Sequence, residues 1–168
     1  GKQQASKTFN IQLEPIASQV TSRMHQEFME GNCQYVQDNA KQIINRVNND
    51  GSVGKADLAE AVALCYSVSC YIVDAAKVGQ SWQTSRKNEI CTLLDIFFNR
   101  NYAVIGKKAA DYPSEVKNTN EFVKIEKYLN EVKSKLNCNQ DLFPSLTPSS
   151  TPTPVTSGVT TCGHPQAQ

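Results

Sequence analysis

The sequence predicts an all-α fold: a five-helix bundle, braced by disulfides, with a disordered Ser/Thr/Pro-rich C-terminal tail. Three observations carry this. Apolar residues recur at three- and four-residue spacing in five separate stretches, and no stretch sustains the alternation of a strand. Six cysteines, an even number, are spread along 168 residues. The composition changes abruptly after Cys138. These divide the chain into a flexible start over 1–12, a bundle over 13–138, and a linker or the start of a repetitive region over 139–168.

The first helix is expected from Leu13 to about Glu30, because Leu13, Ile16, Val20, Met24 and Phe28 share one face; Gly31 stops it. Val36, Ala40, Ile43, Ile44 and Val47 repeat the pattern in a second helix, closed by Asn49-Asp50-Gly51, residues that tolerate left-handed backbone. From Leu58 to Ala76 the third is apolar nearly all round, which places it at the centre; Lys77 and Gly79 end it. The fourth runs from about Gln83 to Asn99 and turns Ile90, Leu93, Leu94, Phe97 and Phe98 inward. Arg100 to Lys117, with Gly106 and Pro113, has no sustained period and reads as a long loop. The fifth opens at Asn118, where Glu121 makes a start resembling a capping box, and buries Phe122, Ile125, Leu129, Val132 and Leu136. From Ser145 to Thr161 most residues are Ser, Thr or Pro, too little apolar surface to offset the entropy of ordering. That is the composition of an O-glycosylated stalk and equally of an unmodified linker.

Seventeen basic against sixteen acidic residues leave a formal charge of +1, so no electrostatic footprint for nucleic acid or an anionic membrane is present. No uninterrupted apolar run approaches the roughly 18 residues of a membrane span, and GKQQASKTF lacks the features of a signal peptide. A soluble, already processed chain is expected, with no cofactor. Of two histidines, His164 falls in the tail and His25 beside Met24 on a helix, so no nucleophile has a base at hand. Asn48-Asn49-Asp50-Gly51 fails as a calcium loop, because the first ligand would be Arg46, a cation. No enzyme is expected.

The cysteines, Cys33, Cys65, Cys70, Cys91, Cys138 and Cys162, form no CxxC and no zinc pattern with the histidines, which favours disulfides in an oxidising compartment over buried thiols. Cys65 and Cys70 stand five apart on one helix, about 8 Å between Cα atoms, too far to pair with each other. Each must reach another element, with Cys33, Cys91 and Cys138 as candidates, while Cys162 either folds back onto the bundle or links chains. Among the carboxylates, Asp57, Glu60 and Asp74 are singled out because they lie on the apolar central helix. Burial at an interface there would raise a carboxyl pKa and make association depend on pH.

The stretch Lys55 to Phe98, containing LAEAVALCYSVSCYIVDAAKVGQSWQTSRKNEICTLLDIFF, resembles the N-terminal domain of spider silk proteins, the spidroins. Gly79 stands at the turn after the third helix, Arg86, Lys87, Asn88 and Ile90 open the next, and Asn120-Glu121-Phe122-Val123 matches the fifth in kind. The Thr/Ser/Pro tail resembles aggregate-gland glue spidroins more than dragline silk. The resemblance implies a secreted, non-catalytic module that keeps a stored silk or glue protein soluble in the silk gland lumen and that, in many members of the family, forms an antiparallel homodimer as pH falls along the spinning duct. It adds Lys55 and Glu126 to Asp57, Glu60 and Asp74 as candidate interface charges. The alternative reading is an extracellular helical carrier of a small apolar ligand, since a disulfide-braced bundle can keep a cavity between its helices.

Overall fold

A computed structural model describes residues 17–138 and Cys162, with backbone alone at 17–21 and 104. The expectations for the flexible start, the first turn of helix one, the Ser/Thr/Pro segment and His164 lie outside the described residues. The described chain is mainly helical. Helices α1 (Ala17–Met29), α2 (Cys33–Ile44), α3 (Leu58–Lys77), α5 (Lys87–Asn99) and α7 (Asn120–Ser134) are long; α4 (Trp82–Ser85) and α6 (Ser114–Lys117) are single turns.

The stops foreseen at Gly31 and Gly79 close α1 and α3 by one device. With φ at 69°, Gly79 takes the left-handed conformation that spares a side chain its clash. Its N–H then donates to the Ala76 carbonyl at 3.0 Å and that of Gln80 to the Ala75 carbonyl at 2.9 Å, satisfying the helix's last acceptors. Asp57 caps the N-terminus of α3 by accepting from the Glu60 N–H at 2.9 Å.

Every residue from Ala59 through Cys70 is buried, and α3 touches α1, α2, α4, α5 and α7. By length and mean hydropathy, 1.4, this helix could cross a membrane, which corrects the expectation drawn from uninterrupted apolar runs; 78% of its apolar window is buried in the fold. Met24 and Phe28 of α1, Val36 and Ile44 of α2, Ile90 and Leu94 of α5, and Ile125, Leu129 and Val132 of α7 complete the core. Each such side chain contributes about 1.5–3 kcal/mol on leaving water. Phe97, Tyr112 and Phe122 pack with ring centroids 5.1–5.6 Å apart, joining α5 to α7.

Three disulfides tie these elements: Cys33–Cys70, Cys65–Cys162 and Cys91–Cys138, with Cα separations of 5.6, 5.5 and 5.7 Å. Cys65 and Cys70 reach different elements, as the helix rise required. Cys162 folds back and is fully enclosed against α3, so the linker expected over 139–168 is anchored within the core at this residue.

Four element boundaries need correction. α2 stops at Ile44, where the backbone N–H of Asn45 caps it, and Val47 and Val53 instead form an isolated antiparallel bridge. The fourth expected helix is broken at Arg86 into α4 and α5. The long loop contains a two-residue antiparallel ladder, β1 (Asn101–Tyr102) with β2 (Lys107–Lys108), joined by a 3-10 turn over Ala103–Ile105, and then α6. Finally, α7 opens on Thr119, whose hydroxyl accepts from the Phe122 N–H at 3.1 Å, while Asn118 ends α6.

Candidate functional site

Periodicity puts Gln37, Lys41, Ile44 and Asn45 along one face of α2, Ser67 and Tyr71 along one face of α3, and Thr92, Leu93 and Ile96 along one face of α5. These faces meet around a half-open cleft of about 490 Å³. Val47 and Val53 from the α2–α3 connection and Tyr102, Ala103 and Ile105 from the ladder complete its lining at the end away from Gln37. Lys107 bridges those two walls by donating to the Gly51 carbonyl at 2.9 Å. Val47 and Ile105 stand 69% and 50% exposed at the rim, large apolar side chains left in water beside an apolar cleft.

Beneath the cleft lies a buried ion pair. Arg100, only 3% exposed and left-handed with φ at 56°, donates from Nη2 to Glu60 Oε1 at 2.8 Å. Its Nε donates to the Ala110 carbonyl at 2.7 Å and its Nη1 to the Tyr112 hydroxyl at 3.1 Å, with the guanidinium 4.2 Å from the Tyr112 ring centre. Glu60, fully buried, accepts on its other oxygen from the Tyr102 hydroxyl and on Oε1 from the Ala56 N–H at 3.1 Å. Burial opposes the Arg100 cation, yet Tyr112 and the Glu60 carboxylate beside it hold its pKa above the ordinary value. Burial first, then the Glu60 charge, raises the Tyr102 and Tyr112 phenols, so both stay neutral, Tyr102 donating to Glu60 and Tyr112 accepting from Arg100. The network is closed: its groups satisfy one another and fix Tyr102 as part of the cleft wall.

No family model, no curated protein and no solved structure matches this chain.

The structure does not bring the singled-out charges together. Glu60 faces inward onto Arg100 and is not available to a partner's surface. Asp57 is spent on the α3 cap and on Arg46, whose Nη2 donates at 3.0 Å. Asp74 is half-exposed with Lys77 at 3.9 Å, Lys55 is exposed just before α3, and Glu126 is exposed on α7. Among the described residues no group of three or more His, Cys, Asp or Glu could hold a metal ion. His25 is half-buried, with Nδ1 2.6 Å from the Tyr66 hydroxyl, and serves the α1–α3 contact. Sequence reasoning missed Arg100, Tyr102 and Ile105 because they fall in the stretch taken as loop. The apolar run Tyr102-Ala103-Val104-Ile105 ahead of Gly106 was the signal there.

Proposed function

We propose that this chain is an extracellular, non-catalytic binding domain whose cleft between α2, α3 and α5 holds a small apolar ligand. The observation that carries the reading is the cleft itself: about 490 Å³, lined largely by aliphatic and aromatic groups, with exposed Val47 and Ile105 at its mouth. Ligand sites have such volumes, and an apolar wall with a few polar groups is their usual chemistry. Three disulfides are consistent with an oxidising, extracellular setting, and they hold the helices that form the walls.

The test is titration with an apolar fluorescent probe, N-phenyl-1-naphthylamine, against the whole chain and against Ala103→Trp. Ala103 is exposed on the cleft wall, so an indole there fills the space without disturbing the core. Saturation at one probe per chain, lost in A103W while the helical circular dichroism is unchanged, is the expected result. Absence of saturable binding, or equal binding by both proteins, refutes the reading.

A second reading, the N-terminal solubility and self-assembly module of a silk or glue protein, is favoured by the resemblance over Lys55–Phe98 and by the Ser/Thr/Pro composition of 145–161. On it, the five long helices form the family's bundle, O-glycans decorate the tail, and the chain dimerises. Of the carboxylates it invokes, Asp74 and Glu126 remain at the surface. Light scattering at about pH 7.5 and about pH 5.5 discriminates: a doubling of mass on acidification with disulfides intact supports it, and an unchanged mass retires the dimer.

A further inference from the structure

The polar groups of the cleft differ in what they can still offer a ligand. Gln37 donates to the Ser67 carbonyl at 3.0 Å and accepts the Ser67 hydroxyl, and Thr92 donates to the Asn88 carbonyl at 2.9 Å. The Tyr102 hydroxyl is committed to Glu60. Among the described lining residues Lys41 carries the only charge and lies exposed on α2, where its four-carbon stem can run along the apolar wall while the ammonium stays in water.

Resting on the ligand-binding reading above, we infer that the occupant is a single-chain fatty acid, its carboxylate paired with Lys41 and its hydrocarbon laid over Ile44, Val53, Leu93 and Ile96. One fixed cation complements one negative charge; a phosphate dianion would leave half its charge uncompensated. The half-open shape admits one chain whose head remains solvated. A cavity of about 150 Å³ accepts benzene, so this cleft has room for a hydrocarbon several times that size. Orientation follows from the apolar rim: large apolar side chains are left in water at the Val47 and Ile105 end, so the head lies on the Gln37 and Thr92 side of Lys41. The tail points to Val47 and Ile105, whose exposed methyl groups it would cover. Glu89 and Asp74, whose charges are felt at Tyr71 on the head side, are each paired with a cation, Arg86 at 3.7 Å and Lys77 at 3.9 Å.

The experiment is calorimetric titration of the whole chain, below micellar concentrations, with laurate and with dodecanol, for the wild type, Lys41→Met and Lys41→Arg. Laurate should bind one per chain about tenfold more tightly than dodecanol, K41M should lose that factor for laurate alone, and K41R should keep it. Higher salt should narrow the gap, since the pair is exposed. Equal binding of acid and alcohol, with K41M indifferent, overturns the carboxylate assignment and leaves the apolar cleft standing. Failure of both ligands to bind overturns the cleft reading and this inference with it.

Discussion

Replacing Glu60 by Gln keeps the volume of the side chain and deletes its charge, leaving Arg100 enclosed at 3% exposure with only neutral acceptors: the carbonyls of Ile96 and Ala110 and the Tyr112 hydroxyl. Breaking a buried pair from one side costs about 3–5 kcal/mol, because the surviving charge remains desolvated. For a fold of this size that corresponds to a fall in melting temperature of roughly 10–20 °C. The assay is urea denaturation followed by far-UV circular dichroism at neutral pH with disulfides intact, reading midpoint and slope separately. Arg100→Met and the double variant close a thermodynamic cycle. Because Arg100 Nη2 and Glu60 Oε1 are 2.8 Å apart, the double variant should lose less than the sum of the singles, by about 1–3 kcal/mol. An E60Q protein within about 1 kcal/mol of the wild type, or single effects that simply add, would refute the argument that this pair braces the ladder against α3.

Gly54 has φ at 76°, and a methyl group there would meet the Glu60 carboxylate and the Tyr102 hydroxyl; Gly54→Ala should therefore lose more than about 1 kcal/mol, and an unchanged urea midpoint would count against the packing described. Removing the Cys65–Cys162 bridge in a C65S/C162S double variant opens a link across 97 positions, for which chain entropy gives about 4–5 kcal/mol; comparable urea midpoints for the two proteins would show that the bond adds little. Hydrogen bonds from Arg23, first, and from Asn32 hold the Glu27 carboxyl below its usual range. A depressed folded-state pKa gives stability that is complete above the unfolded value, about 4.3, and is lost as pH falls through the folded one. The melting temperature should thus drop on acidification below about pH 4, and less steeply in Glu27→Gln, which no longer titrates there; identical profiles would assign the acid loss to other carboxylates.

The central helix was legible because its signal is redundant: apolar residues on every face from Leu58 to Ala76 can only be satisfied by neighbours all round. The stops at Gly31 and Gly79 were legible for a local reason, the backbone freedom of glycine at a helix end. What sequence could not supply is tertiary in origin. Two-residue strands are too short to display alternation, and β1 and β2 persist because Arg100 holds Ala110 and Lys107 reaches Gly51. Glu60 was singled out as a candidate interface carboxylate, whereas it is buried against a partner 40 positions downstream, in a stretch that shows no period. The cysteine pairing stayed open because six cysteines allow fifteen connectivities and only three-dimensional proximity selects one. The cleft is a gap between α2 and α5, and no periodicity encodes a gap.

The Cys65–Cys162 bond also determines how the domain would bear load. Tension applied on the far side of Cys162 passes through sulfur straight into the middle of α3, bypassing α5, α7 and the whole of 139–161. No disulfide fastens the described part of α1, whose hold comes from Met24 and Phe28 against the core. Pulled from both ends, the fold would shed its first helix while its centre stayed intact, because Cys33–Cys70 and Cys65–Cys162 carry the load across α3 between Cys65 and Cys70.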